Sequence, residues 1–282
     1  MGSVGAGRLV LGLAVLAGAG ITARGAMADT ITGTIYDNTE YTQTSNSPPS
    51  TPPFYFFSIG ATFQTMGDYT SATATYLGPG SPQTLPATGP TSFNFQTAGY
   101  PSLSALHAIY PFGPYTITAS GPAGTEVSKI FYSADYFTST TPYLTNFSSL
   151  SGLNPATAVT VNYPAFTPNA NTNLGLTFFT IFNATTGAVV YGNEFLSPSS
   201  TSSTIPANTL AANTTYEFDL DYSSRLTGND TADGTSTIQG FEVRTDGTFT
   251  TGAAPVPEPP AVLLLASAVL GLGWMRRYKA RG

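Results

Sequence analysis

The stretch YEFDLDYSSRLTGNDTADGT (residues 216–235) places Glu217, Asp219 and Asp221 at every second position. In a strand that spacing projects all three carboxylates to one face and leaves Phe218, Leu220 and Tyr222 on the other. Asp230 and Asp233 follow in a Gly- and Asn-containing loop that offers further oxygen ligands. Like charges side by side repel unless a cation, or the guanidinium of Arg225, sits among them. One reading is a Ca²⁺ site built on Glu217, Asp219, Asp221, Asp230 and Asp233; the other is a solvated sheet face above an apolar core. The absence of EF-hand or nonapeptide calcium spacing favours the solvated face. A glycosidase is disfavoured further, because it needs two carboxyls converging across a cleft.

The rest of the available chemistry is bounded by what the chain lacks. Zero Cys removes disulfides, thiolate catalysis and Cys metal sites together. The single His, His107, stands in GYPSLSALHAIYPFGPY (99–115), and no Gly-x-Ser-x-Gly elbow accompanies it. As a general base it would need an orienting carboxylate. His107 is therefore expected to be a structural or surface residue, and the protein a non-enzyme. A phosphate loop and a Gly-x-Gly-x-x-Gly after a strand are both missing, which sets nucleotide chemistry aside. Rings in PPFYFF (52–57) and in 99–115 could stack on sugars, but a sandwich without disulfides needs aromatics inside, so core is the expectation. Residues 29–257 carry fourteen carboxylates against Lys129, Arg225 and Arg244, a formal −11 compared with −6 for the whole chain. That charge argues against nucleic acid or an anionic membrane surface as a partner.

The elements that must position these groups are strands. Only 9% of residues are charged, while 29 Gly, 22 Pro, 16 Tyr and 18 Phe accompany abundant Ser and Thr. Short alternating runs recur at 30–36, 54–63, 72–76, 91–95, 115–120, 129–137, 158–163, 174–183, 216–222 and 238–243, separated by turn residues. That pattern predicts an all-β protein of two immunoglobulin- or fibronectin-like β-sandwich domains, residues 29–120 and 121–252, dividing near SGPAGT. Leu210 to Leu220, LAANTTYEFDL, reads Leu-x-x-x-Thr-x-Tyr ahead of an alternating strand. It is similar to the tyrosine corner of fibronectin type III domains, which implies that the Tyr216 hydroxyl turns back to upstream backbone. TQTSNSPPSTPP (42–53) reads as a stiff loop, SPSSTSST (197–204) as a loop or polar edge strand, and 245–256 as a tether.

The two ends follow different rules. Arg8, the apolar run Leu9 to Ile21 and the Ala26-Met27-Ala28 site form the three parts of a secretory signal peptide over residues 1–28, cut by signal peptidase. An N-terminal anchor is disfavoured, since 13 apolar residues fall short of the roughly 20 needed to span. At the back, Ala261 to Met275 is apolar and Arg276, Arg277, Lys279 and Arg281 follow it, which predicts a short span with its C-terminus inside.

Val256-Pro257-Glu258-Pro259, that span and the basic cluster, in this order, resemble the PEP-CTERM sorting signal of Gram-negative bacteria. The resemblance covers residues 253–282. It implies a transient stay in the inner membrane, recognition of the Pro-Glu-Pro element by an exosortase-type enzyme, and release to the cell surface or extracellular matrix. Two prolines suit that role, because they hold an extended strip just outside the bilayer that a protease groove can read. The resemblance further implies an association with exopolysaccharide and biofilm. The alternative is a carbohydrate-binding module or a polysaccharide-active enzyme. No cofactor is expected beyond the Ca²⁺ considered above.

Overall fold

The computed structural model describes residues 30–50, 53–229 and 235–253. Strands dominate, as the β-branched and aromatic content requires. In chain order they are β1 (Thr32–Thr42), β2 (Phe54–Thr62), β3 (Ser71–Thr75), β4 (Gln83–Leu85), β5 (Ala87–Gly89) and β6 (Ser92–Gln96). A five-residue helix, α1 (Leu103–His107), leads to β7 (Gly113–Gly121) and β8 (Gly124–Tyr132). After a 3₁₀ turn at Phe147–Leu150 come β9 (Val159–Asn162), β10 (Leu174–Asn183), β11 (Val189–Leu196) and β12 (Ser202–Ile205). Two long strands, β13 (Thr215–Asn229) and β14 (Ser236–Thr250), finish the described chain. Among the described residues no helix is long and apolar enough to cross a membrane; the apolar runs at both ends lie outside them.

Eight strands make one sheet in the order β11-β10-β13-β14-β1-β2-β6-β5, while β4-β3-β7-β8 and β12-β9 form two smaller sheets. The pairing of β1 with β14 is parallel, Gly33 opposite Thr237 through Thr42 opposite Asp246, and it joins the first and last described strands at the centre of the large sheet. A strand of 15 residues such as β14 runs about 50 Å, long enough to serve two cores in turn. Phe241 lies in a first core with Ile35, Phe57, Ile117 and Tyr132. Phe249, eight positions on and so on the same face, lies in a second with Phe179, Phe218, Leu220 and Tyr222.

This arrangement differs from the division expected at residue 121. Gly121 and Gly124 pair across the tight turn of the β7–β8 hairpin, and Gly124 has φ +114°, which a glycine accommodates without strain. The long strands, not a linker, connect the two cores. The tether expected over 245–256 does not hold for its first part: Thr245 through Thr250 continue β14 against β13, with Phe249 opposite Tyr216. Of the hydroxyl-rich stretch 197–204, Ser202 to Thr204 enter β12, which pairs only with β9.

Both glycines inside β14 sit beneath rings. Tyr36 lies opposite Gly240 and Phe218 opposite Gly247, and a Cβ built on Gly240 would come within 2.2 Å of the Tyr36 ring. Glycine at these positions therefore lets an aromatic ring lie flat on the neighbouring strand.

Candidate functional site

Two groups of ionisable side chains lie on opposite faces of the large sheet. The first stands on the outer face of β13, β14 and β1. Glu217, Asp219 and Asp221 do share a face of β13, and Phe218, Leu220 and Tyr222 are fully buried on the other. Asp219 is nonetheless only 6% exposed, so this face is not the solvated one expected. The reason is the neighbouring strand. Asp221 pairs with Arg244 and Asp219 with Asp246, while Glu40 of β1 faces Arg244 from the other side.

The guanidinium of Arg244 lies 3.2 Å from Asp246 Oδ1, 3.4 Å from Glu40 Oε2, 3.7 Å from Asp219 Oδ2 and 3.9 Å from Asp221 Oδ1, and packs over the Phe56 ring. Arg244, and not Arg225, is thus the cation among the strand carboxylates. Arg225 instead pairs with Glu242 at 3.1 Å and lies over the rings of Tyr36 and Phe178. Burial raises the carboxyl pKa values of Asp219, Asp221 and Asp246, Arg244 opposing it in each case. Four carboxylates around one guanidinium leave excess negative charge that a poorly solvated site disfavours. Oxygens of Glu217, Asp219 and Asp246 lie within 4.8 Å of one another. Asp230 and Asp233 fall outside the described residues.

The second group, facing the first core, joins residues that the sequence left unconnected. Asp37 sits mid-way along β1, on the same face as Ile35, and is fully buried. His107 ends α1, whose Ser102 cap accepts the Ala105 N–H at 3.1 Å and whose Leu106 is fully buried, anchoring the short helix. Tyr132 closes β8, and Asp135 follows three residues on. His107 Nε2 lies 3.3 Å from Asp37 Oδ2, 3.3 Å from Asp135 Oδ1 and 3.1 Å from the Tyr132 hydroxyl. The same hydroxyl is 2.5 Å from Asp37 Oδ2 and 2.7 Å from Asp135 Oδ1. Phe112 covers the imidazole at 4.4 Å between centroids.

Burial pushes Asp37 up to about 6 against the hydrogen bonds of His107 and Tyr132. For His107, burial works downward, but Asp135 and Asp37 outweigh it and raise the imidazole to about 9. Burial also acts upward on Asp135, yet His107 and Tyr132 hold its pKa below the ordinary value. Nε2 is thus directed at carboxylates and a phenol, with no Ser or Thr hydroxyl among these close partners. The signal for the group was present but faint: Asp37 is a carboxylate at a core-facing position of an alternating strand.

The other predicted residues fall as follows. Tyr216 opens β13, is 2% exposed, and its hydroxyl accepts the Ala211 N–H at 2.7 Å. Val256, Pro257, Glu258 and Pro259, with Arg276, Arg277, Lys279 and Arg281, lie outside the described residues. In the two aromatic stretches, Phe56, Phe57, Tyr110 and Tyr115 are buried, Phe57 stacking on Tyr110 at 4.8 Å, while Phe54 and Phe112 remain exposed.

No family model matches the chain, and no curated protein matches it. Among solved structures it is similar to the FN1–FN3 domains of chicken CNTN1, at 9% identity and TM-score 0.28, over 71% of this chain and 63% of that one. A bacterial ice-binding adhesin of 1.5 MDa is similar at 16% identity and TM-score 0.24, over 80% of this chain and 66% of that one. A Ca²⁺-stabilised adhesin of an Antarctic bacterium is similar at 16% identity and TM-score 0.23, over 79% of this chain and 50% of that one. Likeness at this level transfers neither a family nor a function.

Proposed function

We propose that this protein is an exported, non-enzymatic surface or extracellular-matrix protein, released through its PEP-CTERM-like tail and associated with exopolysaccharide. The observation that carries the reading is the order of Val256-Pro257-Glu258-Pro259, an apolar run and a basic cluster behind a mostly β body. The placement of the first and last described strands supports it. Because β1 and β14 run parallel with Gly33 opposite Thr237, the end of β14 at Thr250 lies roughly 40 Å along the sheet from the start of β1. A protein held by its C-terminus projects the first core outward. In this reading signal peptidase removes residues 1–28, the span crosses the inner membrane transiently, and an exosortase-type enzyme acts at the Pro-Glu-Pro element.

The test is the intact mass of protein recovered from the cell surface. A mature chain starting near Asp29 and lacking Trp274 to Gly282 is expected, and replacing Pro257 and Glu258 with Ala is expected to hold precursor in the inner membrane. Surface protein that retains the basic tail overturns the sorting reading. A sugar-binding reading draws on Phe54 and Phe112, which stay 50% and 41% exposed; binding on a glycan array that is lost with Phe54→Ala or Phe112→Ala would favour it. The Ca²⁺ reading gains Asp246 beside Glu217 and Asp219, and predicts a melting temperature that rises with millimolar Ca²⁺.

A further inference from the structure

We propose that Asp37, His107, Asp135 and Tyr132 form a structural binding site for a divalent transition-metal ion of the zinc type. The Tyr132 hydroxyl and the His107 Nε2–H each have one proton to donate, yet each faces both carboxylates at 2.5–3.3 Å. Hydrogen bonds alone leave some of these approaches unbridged, and oxygens and nitrogens in such proximity then repel. A divalent cation that displaces the Nε2 and Tyr132 protons to solvent, leaving neutral imidazole, phenolate and carboxylates as its ligands, satisfies all of them together.

Geometry selects the kind of cation. Separations of 2.5, 2.7, 3.1, 3.3 and 3.3 Å among Asp37 Oδ2, Asp135 Oδ1, His107 Nε2 and Tyr132 Oη are close to the edges of a coordination tetrahedron. These are five of the six edges, the sixth lying within 4.8 Å; the centre of a regular tetrahedron with their mean edge lies about 1.8 Å from its corners, so the ligands need to part by only a few tenths of an ångström to reach Zn–N and Zn–O bond lengths of about 2.0–2.2 Å. An imidazole ligand disfavours Ca²⁺ and Mg²⁺, which prefer oxygen alone, and suits zinc and its neighbours.

An independent observation points the same way. Asp37 is fully buried, and its second oxygen, Oδ1, has no hydrogen-bond partner. A buried carboxylate left so is costly unless its charge is compensated. Placed on β1, α1 and the segment after β8, the ion would fasten the short helix and the chain after β8 to the centre of the large sheet. The side chains of His107 and Asp135 are 15% and 22% exposed, giving the ion a way in.

The test uses the full-length protein stripped with chelator and titrated with Zn²⁺ alone. One bound equivalent per chain and a higher melting temperature are expected. His107→Gln should weaken binding by more than about 100-fold, and Tyr132→Phe by about 10-fold. Co²⁺ substitution should give the intense visible absorption of tetrahedral coordination, lost in Asp135→Asn, whose folding is checked by its melting temperature without metal. Absence of bound zinc, or zinc binding and stabilisation unchanged in both His107→Gln and Asp135→Asn, overturns the site.

Discussion

Asp221 of β13 stands directly across from Arg244 of β14, and the guanidinium it faces is shared with Asp219, Asp246 and Glu40. One cation thus holds together carboxylates from three strands at the centre of the large sheet. Arg244→Met keeps much of the side-chain volume but leaves those carboxylates poorly solvated and without their partner. It is expected to cost about 3–5 kcal/mol in urea unfolding. A loss below about 1 kcal/mol would mean that the carboxylates reach water or a proton easily, as in an exposed pair.

The same cluster sets a pH dependence. Burial raises the folded-state pKa of Asp219, Asp221 and Asp246 above their ordinary values, so the folded protein holds protons that the unfolded chain releases. Their contribution to stability is full below the ordinary carboxylate range and is lost as pH rises through the raised values. In metal-free buffer, the melting temperature is expected to rise as pH is lowered from about 8 to about 5; His107, raised to about 9, and Asp37, raised to about 6, act in the same direction, so the share of the Arg244 cluster is read from the change in slope in a variant. Arg244→Met should steepen the trend, since it removes the charge that opposes the shift. A melting temperature that falls steadily over this range would contradict the assignment.

Tyr216 makes a separate prediction. Its hydroxyl, near the start of β13, accepts the Ala211 N–H, and Tyr216→Phe strands that donor in a partly buried corner. The expected cost is about 1–3 kcal/mol, read from the shift in denaturant midpoint. Equal midpoints for the two proteins would show that the N–H finds water instead.

Gly240→Ala tests the packing of β1 on β14. The new methyl would meet the Tyr36 ring, which is 5% exposed and has Arg225 stacked on it, so the ring must shift and disturb that stack. Overpacking of this kind costs about 1–3 kcal/mol. Gly228→Ala, where a Cβ meets only Thr237 Oγ1 at 3.8 Å, serves as the control and should change stability far less.

What the sequence by itself determined is local. Alternation at 174–183 and 216–222 identified strands and named Phe218, Leu220 and Tyr222 as core, because a period of two needs no knowledge of a partner strand. Composition excluded thiol and nucleotide chemistry in the same way. What only the tertiary structure decided is which strand lies beside which. The parallel pairing of β1 with β14 joins residues about 200 positions apart and converts two expected domains into two cores on one sheet. It also brings Glu40 to Arg244, while the packing of α1 and β8 on that sheet brings His107 to Asp37. Glu40 had nearer basic residues along the chain in His107, Lys129 and Arg225, and periodicity reports the face a side chain occupies but not the strand it will meet there.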